Sequence, residues 1–345
     1  MADDAFAATA APARARFRLP AAVRGLIRFA SLIAAVSVVT FALVALSPID
    51  PVKMSVGQAT YANMSAEKRE QLRVYWDVDT PVAVRYARWA EAAVHGDFGT
   101  SLRFNRPVTA VIAERAGVSL LLMTTAWVIS GAVGFALGIA AGTLRGSWVD
   151  RLIKGYCFLI SSTPTFWLGL VALIVFSVWL GWFPLGFSAP IGQAAAAATL
   201  ADRLHHLALP ALVLSLTGIA GVALHTREKV IDVLGSEYVW FAQARGEGRH
   251  SVLLRHGLRN LALPAITLHL AQVSEIFGGS ILVEQVFSYP GLGQAAVTAG
   301  IGGDAPLLVG IALVSAVIVF AGNALADVIL GLVDPRVREV GHGAR

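Results

Sequence analysis

Charge is scarce in this 345-residue chain: Asp, Glu, Lys and Arg make up 14% of it, against roughly a quarter in soluble domains. The charges that exist sit in a few loops, and the segments between them are nearly charge-free. That distribution excludes an ordinary soluble domain and fits a chain that crosses a bilayer several times. Cysteine is almost absent as well. Cys157 alone rules out an intrachain disulfide, and at the start of an apolar run it reads as a small packing residue. The lysines are Lys53, Lys68, Lys154 and Lys229, and none follows a glycine, so there is no Walker A loop to cradle a phosphate. Neither H-E-x-x-H nor G-x-S-x-G occurs. Ser161 and Ser162 fall in an apolar run without a base partner, so no catalytic residue is assigned. His205 and His206 are neighbours whose side chains diverge, which suits one metal ion poorly, and no metal site is assigned.

Long apolar runs dominate what is present. Hydrophobic residues make up 56% of the chain and mean hydropathy is +0.68. Residues 1–23, rich in Ala, Pro and Arg, read as a disordered cytoplasmic tail. The first run, 24–46, is longer than the about 7–15 apolar residues of a signal-peptide core and reads as an uncleaved helix. Residues 47–117 form a polar external loop with short amphipathic helices near Ala66–Tyr75 and Pro81–His95. Five further runs follow, near Val118–Gly142, Phe158–Trp182, Leu207–His225, Pro264–Phe287 and Pro306–Val333. Residues 118–333 read as one membrane core and 334–345 as a cytoplasmic tail. The predicted fold class is an all-α polytopic membrane protein with about six transmembrane helices.

The net charge of +5 and pI near 9.6 do not point to nucleic acid, because the basic residues flank apolar runs. Arg145, Arg151 and Lys154 lie between runs two and three. Arg227, Lys229, Arg245, Arg249, Arg255 and Arg259 lie between runs four and five, and Arg336, Arg338 and Arg345 follow run six. The loop between runs five and six has no Lys or Arg, and the one between runs three and four has only Arg203. The positive-inside rule therefore predicts both termini in the cytoplasm.

Within the runs, Gly134, Gly138 and Gly142 recur at four-residue steps on one face of run two. In lipid, such small residues allow close backbone approach between helices, and a packed seam is predicted there. Polar residues inside a bilayer are costly and mark candidate sites. Glu275 falls near the middle of run five, and should line a water-filled translocation path or stay protonated and structural. Glu284, Asn323 and Asp327 are grouped with it as path candidates, although Asp327 lies close enough to a membrane surface to be partly hydrated.

The segment between runs four and five, residues 226–263, is nearly forty residues long. It begins as an amphipathic helix, turns at Gly246 and re-enters the membrane at Pro264, an element suited to docking against a soluble partner. Within it stand Tyr238-Val-x-x-Ala242-x-Ala244-Arg245-Gly246 and His256-x-Leu-Arg259-Asn260-x-x-x-Pro264. This pattern resembles the coupling loop of ABC importer permeases, most closely the dipeptide/oligopeptide/nickel branch. Further resemblances run in order along residues 24–338: Gly96-Asp-Phe-Gly-Thr-Ser101, Ser162-Thr-Pro-Thr-Phe-Trp-Leu-Gly169, Val283-Glu-Gln-Val-Phe-Ser-Tyr-Pro-Gly-Leu-Gly293 and Asp334-Pro-Arg336. Trp240, Phe241 and Gln243 depart from the Arg, Thr and Arg more common in that branch, which bears on how tightly the loop docks. Ser47-Pro-Ile-Asp-Pro51 replaces a commoner Pro-Gly-Asp-Pro.

The resemblance implies a type I importer permease with N- and C-termini inside. It implies pairing with a second, similar permease, two cytoplasmic ATPases that bind the coupling loops, and an external substrate-binding protein. ATP would be used by the partner subunits, with no cofactor bound by this chain. It implies an inner-membrane location and a cargo of di- or oligopeptides, with nickel, a metal chelate or another small solute as the alternative. Gly246 and Ala242, four residues apart, are expected to share a docking face.

Overall fold

A computed structural model describes residues 21–47, 51–75, 79–193, 197–248, 251 and 258–333. His256, most of the 1–23 tail and the Asp334–Arg336 motif lie outside the described residues. The described chain is helical almost throughout. In order it comprises α1 (Ala21–Ala45), α2 (Pro51–Val56), α3 (Gln58–Ala62), α4 (Ala66–Tyr75), α5 (Val82–Val94), α6 (Val108–Thr143), α7 (Trp148–Ser161) and α8 (Thr165–Ala172). A π-helical stretch, Leu173–Trp179, extends α8. Then come α9 (Leu200–Leu234), α10 (Glu237–Ala244), α11 (Leu258–Ala271), α12 (Val273–Val286), α13 (Leu292–Ile301) and α14 (Ala305–Val333).

Among the described residues α1, α6, α9 and α14 are each long and apolar enough to cross a membrane. Two bent pairs, α7 with α8 and its π-helical extension, and α11 with α12, raise the number to six if each pair makes one span. The third run therefore differs from the single helix Phe158–Trp182 expected from hydropathy. It begins ten residues earlier, at Trp148, and folds back on itself by 106° after Ser161. Pro164 is the reason: it has no N–H to donate, and its ring disfavours helical backbone at the preceding Thr163. Before the bend, Asp150, Ile153, Cys157 and Ile160 recur at helical spacing as the buried stripe of α7. Ile153, Cys157 and Ile160 pack there against Ala220 and Ala223 of α9.

The fifth run is likewise not one straight helix. It bends by 49° at Gln272, between α11 and α12. No Pro or Gly marks the position. The cause is a side chain inserted into the hydrogen-bond ladder: the Trp127 indole N–H donates to the His269 carbonyl at 3.2 Å, and the Gln272 N–H takes the same carbonyl in a tightened turn at 3.2 Å. The His269 and Trp127 rings stack with centroids 4.3 Å apart.

α6 and α9 run parallel and form the spine of the core. A Cβ on Gly134 would meet Val222 Cβ at 2.7 Å, one on Gly138 the Ala223 carbonyl at 2.7 Å, and one on Gly142 Val230 Cβ at 2.5 Å. Contacts advance by one turn on each helix together, so the three glycines form a continuous line along which α9 lies. At 35 residues and ~1.5 Å per residue, α9 reaches ~50 Å, well beyond a hydrocarbon core of ~30 Å. It starts at a capping box, Thr199 with Asp202, and stops at Gly235.

α1 lies outermost, against α14, where Phe29 and Phe320 meet at 4.5 Å. At the far end of α1, Phe41, Tyr86 and Trp89 cluster with Phe98, and Ser37 and Tyr86 share a hydrogen bond of 2.8 Å. These contacts tie α5 of the polar segment to the helix bundle.

Candidate functional site

At one end of the bundle the chain leaves α9 and forms α10. Val239 and Ala242 are its buried residues, set against Val233 and Leu234 of α9. Tyr238, Trp240 and Phe241 point outward, Trp240 at 71% and Phe241 at 64% exposure, and Ala244 and Arg245 are exposed beside them. The helix stops in a Schellman turn. The Gly246 N–H donates to the Gln243 carbonyl at 2.9 Å and the Glu247 N–H to the Ala242 carbonyl at 3.1 Å. Gly246 has φ +88°, with nothing within 4 Å of the position a Cβ would take. Glycine adopts this conformation without steric cost. The expectation that Ala242 and Gly246 share a docking face is corrected here: Ala242 faces inward and Gly246 outward, because the helix has already ended between them. Arg259, Asn260 and Pro264 lie in the first two turns of α11.

Sequence reasoning missed what fastens this end. Asp150 on α7 and Arg227 on α9 are both buried, and Arg227 donates to Asp150 through Nε at 2.6 Å and Nη2 at 2.9 Å. Gly146 N–H adds a third donor to Asp150 at 2.9 Å. From sequence Arg227 counts only among the loop charges, and Asp150 is not singled out. The one available signal was an acid at the third position of a Ser-capped helix, Ser147-Trp-Val-Asp150.

The path candidates separate into two environments. Glu284, grouped with them from sequence, is completely buried. It accepts from Ser119 Oγ at 2.6 Å, Gly293 N–H at 2.7 Å and Gln294 N–H at 3.1 Å. Its carboxylate thus caps the start of α13, where helix N–H groups are otherwise unpaired. Ser119 Oγ also accepts from Leu292 N–H at 2.7 Å. Tyr289, buried next to it, has its phenol pushed up to about 12, first by burial and then by the Glu284 charge. The stretch Val283–Gly293 is therefore a folded-back clamp. Gly291 and Gly293 are required there because a Cβ on either would strike the Glu284 carboxylate or the backbone of Ile281.

Glu275, by contrast, is exposed in the first turn of α12. It lines a recess of about 230 Å³ together with Thr165 of α8, Thr217 and Gly218 of α9, Gln272 at the bend, and Gly279. Asn323 on α14 is paired with Ser274, Nδ2 to Oγ at 3.0 Å, while Asp327 is exposed one turn further along.

A second buried acid, also unassigned from sequence, holds the opposite end. Asp304 accepts from Ser101 Oγ at 2.6 Å, Arg103 N–H at 3.0 Å and Leu307 N–H at 3.2 Å. It fixes the end of the Gly96–Ser101 motif to the start of α14.

The fold and this arrangement are those of a transport permease, and the comparisons agree. Residues 134–339 match the family described as binding-protein-dependent transport system inner membrane component. The chain is 35% identical over 303 residues to the oligopeptide transport system permease protein AppB of Bacillus subtilis (strain 168), covering 88% of this chain and 94% of the relative. It is 35% identical over 308 residues, with the same coverages, to a putative peptide transport system permease protein of Brucella abortus (strain 2308). Over 303 residues it is 35% identical to the glutathione transport system permease protein GsiC of Salmonella paratyphi A, again covering 88% and 94%. The chain belongs to the family of inner-membrane components of binding-protein-dependent transport systems. It is a multi-pass permease subunit of an ATP-binding-cassette importer and not an enzyme, and membership implies a substrate-binding protein and ATPase partners.

Proposed function

We propose that this permease imports di- or oligopeptides. An external binding protein delivers the cargo, a second, similar permease completes the pore, and two cytoplasmic ATPases dock on the α10 loop of each permease. Both termini lie in the cytoplasm, residues 47–117 lie outside, and 118–333 form the transport core with 226–263 as the coupling loop. The peptide cargo is supported by the names of relatives that carry peptides, oligopeptides and glutathione.

The observation that carries the mechanism is the continuity of α9. One unbroken helix contributes Leu214, Thr217 and Gly218 to the Glu275 recess and ends sixteen residues after Gly218, at Leu234, against α10. A push on α10 therefore reaches the recess through ~24 Å of rigid helix. Pairing of Asp150 with Arg227 carries the same push to α7. Outward-facing Tyr238, Trp240 and Phe241, with Ala244, Arg245 and Gly246, form the docking face, and His256, Arg259, Asn260 and Pro264 complete the loop's return.

The test is ATP hydrolysis by the reconstituted complex, with and without peptide-loaded binding protein. Gly246→Asp should leave the permease pair in the membrane and reduce stimulated hydrolysis to background. Its new side chain enters open space on the docking face and its backbone is strained at φ +88°. Ala242→Glu should uncouple by a different route, by placing a charge where α10 packs on α9. Undiminished stimulation in Gly246→Asp would show that the loop is not the coupling element. Stimulation by a nickel-loaded binding protein and not by a peptide-loaded one would replace the cargo.

A further inference from the structure

The Glu275 recess has a composition that the other apolar hollows of the bundle lack. A larger one, about 510 Å³ between α6, α12 and α14, is walled by Leu120, Met123, Trp127, Ile318, Leu325 and their neighbours, with almost no polar surface. The smaller recess is walled by Thr165, Thr217, Gln272 and Glu275 and contains no Lys, Arg or His. Among the described residues Glu275 has no hydrogen-bond or ion-pair partner. The nearest polar pair, Ser274 with Asn323, is already mutually satisfied. Gln272 Oε1 is buried and likewise lacks a donor. A membrane-embedded carboxylate left in this state is costly and calls for a cation or water.

We infer that this recess receives the positively charged ammonium group of the cargo, with Glu275 as the residue that selects for it. The inference rests on the peptide-import reading above and names the end of the peptide concerned. An ammonium carries three donors and no acceptor. The recess supplies acceptors to match: the Glu275 carboxylate and the hydroxyls of Thr165 and Thr217. Its volume, about 230 Å³, falls below the ~300 Å³ at which pockets begin to enclose whole small molecules. It therefore takes one terminus of a peptide and leaves the rest in the path between the permeases. A peptide's C-terminal carboxylate would be repelled by Glu275 and must point away.

The experiment measures uptake into proteoliposomes containing the whole complex, driven by saturating loaded binding protein. The probes are tri-alanine and N-acetyl-tri-alanine, and each variant is expressed relative to wild type for the same peptide, so that discrimination by the binding protein cancels. Glu275→Gln keeps the shape and removes the charge, and should lower tri-alanine uptake about tenfold, the loss of one charge-assisted hydrogen bond. Acetyl-peptide uptake should stay within about twofold, since that probe never made the bond. Glu275→Asp keeps the charge and should retain tri-alanine uptake within about threefold. Wild-type tri-alanine uptake in Glu275→Gln overturns the inference. So does an Asp variant as impaired as Gln, or an equal fall for both peptides; the last, with loss of the second permease on purification, assigns Glu275 to a cation of that subunit. A wild-type complex that moves neither peptide removes the peptide reading and this inference with it, a failure recognisable from wild type alone.

Discussion

Arg227 grips Asp150 with two nearly parallel N–H···O bonds, Nε to Oδ1 at 2.6 Å and Nη2 to Oδ2 at 2.9 Å, across 77 residues of sequence. The pair joins the start of α7 to α9 two turns before α9 ends at Leu234. It is edged by Lys154, 3.8 Å from Asp150, and by Glu228 on the outer side of Arg227. Bidentate geometry of this kind fixes orientation as well as distance, which is what a helix relaying movement from a docking loop requires.

Breaking the pair from one side should be costly. Asp150→Ala would leave Arg227 buried without its counter-charge, a loss of ~3 kcal/mol, at the low end for buried pairs because the edge is wet. The thermal transition of the detergent-purified permease should fall by several degrees, and stimulated ATP hydrolysis should fall with it. Arg227→Lys keeps the charge and loses the two-pronged fit, so it should lower hydrolysis more than stability. An Asp150→Ala protein with an unchanged transition would remove the pair from any part in holding α7 to α9.

Two glycines of α6 should respond in opposite ways to the same change. Gly138→Ala places a Cβ 2.7 Å from the Ala223 carbonyl, and backbone oxygen cannot step aside, so the α6–α9 seam must open at a cost of ~1–3 kcal/mol. Gly117→Ala, nearly five turns before the seam's start on the same helix, meets nothing within 4 Å. It should be neutral or gain up to ~1 kcal/mol from helix propensity. Membrane abundance and melting temperature of the two variants make the comparison. Equal behaviour would mean that α6 and α9 do not pack as closely as these distances require.

Orientation can be read by thiol labelling. Cys157 is completely buried and is first replaced by Ala. Ala66 on α4 and Gln243 on α10 are both exposed, and each is then changed singly to Cys. An impermeant maleimide on intact spheroplasts should label the Ala66→Cys protein and spare the Gln243→Cys protein until the membrane is opened. The reverse pattern would invert the topology and place α10 where no ATPase can reach it.

What the sequence determined by itself was local. Hydropathy is a sum over adjacent residues, so the number of apolar runs was readable, and α14 begins within a residue of its expected start. The four-residue spacing of Gly134, Gly138 and Gly142 fixed a shared face. Gly246 marked a turn that only its backbone freedom makes cheap. Tertiary structure decided the rest, because it concerns groups far apart in the chain. Hydropathy ran straight through Pro164, and the 106° fold-back there needed α9 to receive the buried stripe of α7. The bend at Gln272 has no sequence mark, since its cause is the Trp127 indole bonded to the His269 carbonyl, 142 residues on. Glu275 and Glu284 sit nine residues apart and look equivalent as acids in an apolar run. Their fates diverge because Ser119 and the start of α13 converge on Glu284 alone, while the bend turns Glu275 towards an open recess. A carboxylate's environment is set by which donors the fold brings to it, and that is not a property of its neighbours in sequence.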